Sequence, residues 1–132
     1  RWFTGEVFTA WIAVTDVHDD SGPMAFVRGS HQWGLNENDS FFRDTDHDAQ
    51  VASIPRPKGS EWEEVAATIP RGAISFHHRL TYHGRRSNTS EKARRSFAIH
   101  LRTENSEPLD TLGGYYNENL TNPDLSPVIY SK

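Results

Sequence analysis

The sequence predicts an all-β fold, a sandwich, barrel or jelly roll, and three observations predict it. Short runs rich in β-branched and aromatic residues are separated by turns of Gly, Pro, Asp and Ser. The run Arg94 to Thr103 alternates strictly with a period of two. No stretch carries a convincing helical apolar stripe, and no internal repeat is visible.

Taken in order, Val7 to Thr15 reads as the first strand. Val7, Thr9, Trp11, Ala13 and Thr15 share one face; Phe8, Ala10, Ile12 and Val14 share the other. Asp16 to Pro23 is a turn, and Met24 to Val27 a short second strand ended by Arg28-Gly29-Ser30-His31. Residues 32–64 carry an excess of acids with Gly34, Pro55, Pro57 and Gly59 as breakers, and read as a lid-like insertion. Val65 to Ile69 resumes a strand, Pro70-Arg71-Gly72 turns it, and Ala73 to His77 returns. The Arg94 to Thr103 strand follows a loop, and the polar tail from Glu104 wraps a surface.

The bulk composition bounds the function. A chain of 132 residues suits one domain around one core. Four Trp, seven Phe and four Tyr give enough bulk to pack, although only 35% of residues are hydrophobic. A net charge of −4 argues against nucleic-acid binding, which needs a basic face. No apolar run approaches a membrane span and no signal peptide is visible, so no membrane partner and a cytoplasmic setting are expected. Zero cysteines exclude disulfides and thiolate metal sites. The chain enters its first strand within seven residues of Arg1, which suggests a piece of something longer.

Two residues carry the chemistry. Arg94, Ser96, Ala98 and His100 share one strand face; Arg95, Phe97, Ile99 and Leu101 share the apolar other. Arg94 therefore leads the polar face, the interior of a ligand-holding barrel. A guanidinium there either pairs with one of the chain's own acids or meets an anionic ligand, whose carboxylate suits its fork. His83 sits where strand hands over to loop. It is either a hydrogen-bonded structural residue or a metal ligand, since two His and one carboxylate with open positions bind non-haem Fe(II). His77 and His78 are neighbours, face opposite ways on a strand, and read as flanking residues.

The segments Phe8-Thr-Ala-Trp-Ile-Ala-Val-Thr-Asp16 and Asp20-Ser-Gly-Pro-Met-Ala-Phe-Val-Arg-Gly-Ser-His31 resemble the middle of the phytanoyl-CoA dioxygenase family. Gly72 to Leu101 is similar to that family's distal half, where a His-Gly, loop, Arg run closes the motif set. The resemblance covers roughly residues 7–34 and 65–103. It implies a double-stranded β-helix (a cupin-like jelly roll), with residues 1–132 as the distal part of a longer domain. It implies Fe(II) and 2-oxoglutarate as cofactors, O2 and a small molecule as partners, and hydroxylation or another oxidation of a C–H bond.

Carried over residue by residue, the resemblance makes His83 the distal iron ligand and Arg94 the clamp on the far carboxylate of 2-oxoglutarate. Trp11 falls where the family has an aromatic near the cosubstrate, or is a plain core tryptophan; Thr9 and Ser96 are further candidates for the cosubstrate. Arg28-Gly29-Ser30-His31 matches a structural turn with glycine at its positive-φ position, and Asn88 caps the loop turn. The family's proximal His-x-Asp would lie before Arg1. The chain's own His18-Asp19-Asp20 occupies a turn instead, so His18 and Asp20 are weaker metal candidates. Arg85 departs from a position that is often small in the family. Asp44 to Asp48 has a calcium loop's alternating acids, but Ala49 and Pro55 stand where its Gly and Glu belong. The lid's acidity suggests a basic or polar substrate. The alternatives are a cupin-type metal enzyme without 2-oxoglutarate and a non-catalytic jelly-roll binding module.

Overall fold

The computed structural model describes residues 3–36, 46–109 and 119–131. Residues 37–45 of the expected insertion, with Asn38 and Asp44, and 110–118 of the tail lie outside them. Six strands run in chain order: β1 Val7–Ala13, β2 Met24–Val27, β3 Glu64–Ala66, β4 Ile74–His78, β5 His83–Arg85 and β6 Ser96–Arg102. They form two three-stranded sheets, β4-β1-β6 and β3-β2-β5, antiparallel throughout.

The sheets meet through a small apolar centre. Trp11, Ala13 and Val17 are buried, with Met24 and Ile69 packed against them. Trp11 and Ala13 come from one face of β1, as the period of two requires, and Met24 from the facing sheet. Burying an indole of this size is worth roughly 2–3 kcal/mol in area alone, so Trp11 fixes how the sheets sit together.

The register then decides what else faces the inter-sheet space. Thr9 stands opposite His77 on β4 and His100 on β6, and Trp11 opposite Ser75 and Ala98. From the other sheet, Phe26 stands opposite His83, and Met24 opposite Arg85. The far side of the β4-β1-β6 sheet is apolar, yet Phe76 is 64% and Phe97 66% exposed; among the described residues nothing covers it.

Three local expectations change. The insertion contains a helix, α1 His47–Ser53, whose N-cap Asp46 accepts hydrogen bonds from Asp48 and Ala49 amides at 3.1 Å. An Asp cap offsets the orphan amides of a first turn, enough to start a short helix without an apolar stripe. The third strand ends at Ala66 rather than Ile69, because Val17 N–H already donates to Ile69 C=O at 2.9 Å and draws that segment into the turn. His83–Arg85 is a strand, drawn straight by pairing with Met24 to Phe26.

Candidate functional site

The turn after β2 holds the site from below. Gly29 has φ 72°, the left-handed conformation expected of it, and this lets Ser30 tuck in with no exposed surface. Ser30 Oγ donates to Val27 C=O and accepts from Tyr82 N–H, both at 2.8 Å. One buried hydroxyl therefore ties the end of β2 to the residue before His83.

His83 is the first residue of β5. Its Nδ1 lies 2.8 Å from Thr81 C=O. A carbonyl can only accept, so that nitrogen donates, and Nε2 is the ring nitrogen left to face a ligand. Ligating histidines are commonly fixed in this way, one ring nitrogen donating to a carbonyl while the other binds the ion. The ring faces the inter-sheet space, 4.6 Å from the His77 centroid and 6.2 Å from that of Phe26.

Arg94 approaches from the opposite strand group. Its guanidinium carbon lies 5.3 Å from the centre of the Trp11 ring, a cation–π distance. Its Nη1 is buried without a hydrogen-bond partner. Burial first, then the neighbouring Arg85 cation, lowers its pKa from the usual arginine value. Among the described residues no acid pairs with it, so of the two readings open to Arg94 the self-paired one has no support here. A buried donor beside a second cation is a place for an anion.

Between them lies the polar row. Thr9 Oγ1 is 3.1 Å from His100 Nδ1 across β1 and β6. His77 is buried at 8% exposure, its ring 4.8 Å from Phe26, and its Nδ1 has no partner. Burial above all, then His83 and His100, pushes its pKa down to about 4, so the ring is neutral at pH 7. His78 faces the other way, towards Phe8 and His31. The opposite-facing parity expected of the two histidines is thus observed. The flanking assignment missed that His77 faces the site; its position opposite Thr9, itself on the Trp11 face, was the available signal.

The loop joining β5 to β6 is braced internally. Asn88 Nδ2 donates to Lys92 C=O at 2.8 Å and Asn88 Oδ1 accepts from Ser90 N–H at 2.9 Å, the capping role expected. Thr89 and Ser90 amides donate to Asp20 C=O. Asp20 and His18 are both exposed, Asp20 inside the 3₁₀ turn Asp19–Ser21 and His18 at its N-cap. Among the described residues no three His, Asp or Glu side chains converge as a metal site. Ser96 stands opposite Ala13 at the start of β6, on the inner face.

A cleft of about 720 Å³ reaches His83 and is lined by Val27, Tyr82, Arg85, and by His47, Trp62 and Glu64 of the insertion. Glu64 is engaged by Trp62 Nε1 at 2.7 Å and His47 Nε2 at 3.1 Å. Those bonds, the Trp62 donor first, hold its carboxyl below the usual range. Glu63 pairs with Arg28 at 2.9 Å. Both acids are engaged by the protein's own side chains, which removes these two as an argument for a basic substrate.

The two-sheet arrangement is the jelly roll of non-haem oxygenases. The chain aligns with an apo non-heme monooxygenase, ThoJ, at TM-score 0.62 and 24% identity, over 80% of this chain and 37% of that one. It aligns with SnoN, a non-heme alpha ketoglutarate dependent epimerase from nogalamycin biosynthesis, at TM-score 0.51 and 25% identity, over 75% and 34%. SnoN in complex with Fe3+, alpha ketoglutarate and nogalamycin RO gives TM-score 0.59 at 24% identity, over 86% and 46%. Among curated proteins, it is 32% identical over 94 residues to a phytanoyl-CoA dioxygenase domain-containing protein 1 homolog of Caenorhabditis elegans, covering 69% of this chain. The Caenorhabditis briggsae homolog is 27% identical over 96 residues. The chain spans 33% of the length of each of these two relatives. No helix among the described residues is long and apolar enough to cross a membrane. The family model for phytanoyl-CoA dioxygenase (PhyH) matches residues 1–96, and the chain belongs to that family.

Proposed function

We propose that this chain is the distal part of an Fe(II)- and 2-oxoglutarate-dependent oxygenase that oxidises a C–H bond of a small molecule. Two observations support the reading, each an incomplete group on the side where the sheets face each other. His83 presents an Nε2 lone pair, fixed by its bond to Thr81 C=O, and Arg94 presents a buried, unpartnered Nη1 over Trp11. One suits a divalent ion and the other a carboxylate, which are the two ends of a chelated diacid.

His83 would hold the ion together with a His and a carboxylate from outside the described residues; His18 and Asp20 remain the weaker source for these. Arg94 would receive the far carboxylate and so set the orientation of the diacid, while Trp11 walls the site and stiffens the guanidinium. Thr9 and Ser96 line the same face and offer hydroxyls to it. When bound, iron and 2-oxoglutarate supply the oxidising power for O2 chemistry; the protein's part is to position and to exclude water. The cleft beside His83, walled by Trp62 and His47 of the insertion, would take the substrate, giving residues 32–64 the role of lid and specificity element.

The test is anaerobic titration of the full-length protein with Fe(II) and then 2-oxoglutarate, following the weak visible charge-transfer band. The band should appear with wild type and require far more 2-oxoglutarate in Arg94→Ala. A cupin-type enzyme would take up metal without responding to 2-oxoglutarate, and a binding module would take up neither.

A further inference from the structure

His77 is the one buried imidazole in the described structure, and neither metal ligation nor the Arg94 clamp accounts for it. His77 lies on the edge strand β4 yet is buried at 8% exposure, and a polar ring so buried is costly unless satisfied. Its Nδ1 is sealed from solvent with no partner. Its ring lies 4.6 Å from His83 and 4.8 Å from Phe26.

The two nitrogens can be told apart. Sealing a bare acceptor is less costly than sealing an N–H donor, and orphaned buried N–H groups are the rarer of the two in proteins. The tautomer this favours carries the proton on Nε2, the nitrogen that is not among the sealed, unpartnered atoms. An N–H donor cannot ligate a metal, but it suits an anionic oxygen held at the neighbouring His83. The two imidazoles then have complementary tautomers. His83 is protonated on Nδ1 and offers a lone pair, whereas His77 is protonated on Nε2 and offers a proton.

We propose that His77 is a positioning residue of the cosubstrate site, donating from Nε2 to an oxygen of the diacid bound beside His83. The proposal rests on the oxygenase reading above. It adds a third anchor to the metal and Arg94, placed on β4, an element to which neither of the other anchors belongs.

The experiment uses the full-length protein and 2-oxoglutarate itself, titrated anaerobically after Fe(II). His77→Phe keeps a ring and removes the donor; His77→Gln returns an N–H close to the Nε2 position. His77→Phe should raise the dissociation constant for 2-oxoglutarate roughly tenfold, the loss of one charge-assisted hydrogen bond, and leave Fe(II) affinity unchanged. His77→Gln should recover most of the loss. If the Phe variant does not fold, His77→Met takes its place in the same titration. Unchanged 2-oxoglutarate affinity in the donor-less variant, or equal weakening in the Gln variant, overturns the role. Loss of Fe(II) binding in His77→Phe overturns it in favour of ligation. Wild-type protein that binds Fe(II) but not 2-oxoglutarate sinks the oxygenase reading and this role with it.

Discussion

The two faces of the β4-β1-β6 sheet are reversed relative to an ordinary half-buried sheet. The face turned to the second sheet carries Thr9, Ser75, His77, Ser96 and His100 around a single large apolar residue, Trp11. The face turned away carries Ile74, Phe76, Phe97 and Ile99, all between 46% and 66% exposed. Antiparallel sheets commonly place apolar residues on the packed side and polar ones towards water. Polar groups stay on the inner side, Ser75 Oγ and His77 Nδ1 among them buried without a partner, and the proposed ligand site would draw on them. The contrast gives the proposed binding role to the inner row and leaves the outer row an exposed apolar surface.

That contrast can be broken by substitution. The largest effect expected is on activity: His83→Ala should reduce Fe(II)-dependent succinate release from 2-oxoglutarate to background, and retained turnover would move the metal site elsewhere. Next is Trp11→Ala, which empties the centre between the sheets and should cost about 3–5 kcal/mol of stability in chemical denaturation. Arg94→Ala should leave folding nearly intact but weaken 2-oxoglutarate binding by about 2–5 kcal/mol, since a buried charge partner is lost. On the outer face, Phe97→Ser should cost less than about 1 kcal/mol in this sheet, because its ring is already two-thirds exposed; a cost as large as that at Trp11 would show that the outer face is packed in the full-length protein.

A further effect is on pH. His77 has a folded-state pKa of about 4 against 6.5 for the free side chain. Between those values the unfolded chain binds more protons than the folded one, so stability should decline as pH falls from 6.5 towards 4. The slope should flatten in His77→Phe, as measured by denaturant midpoints at pH 7 and pH 5.

Much of this was legible in the residues. Alternation alone placed Ser96 and His100 on one face, and Phe97 and Ile99 on the other, because side chains in a strand can only alternate; Arg94 lies two residues before β6, outside the strand it was expected to lead. Gly29 and Asn88 announced their turns through chemistry local to a few residues. Helix α1 was hidden because seven residues are too short for a stripe to show, leaving Asp46 as its only mark.

The sequence by itself determined the β class, the alternation along the longer strands and the family, since these follow from local period, turn chemistry and ordered motifs. Only the tertiary structure decided that His77 stands against His83, that Arg94 lies over Trp11 with no acid beside it among the described residues, and that Glu63 and Glu64 are engaged by Arg28 and Trp62. Each of those depends on two sheets meeting across a gap, and on contacts between residues far apart in the chain. A period of two says which way a side chain points; it does not say what stands opposite.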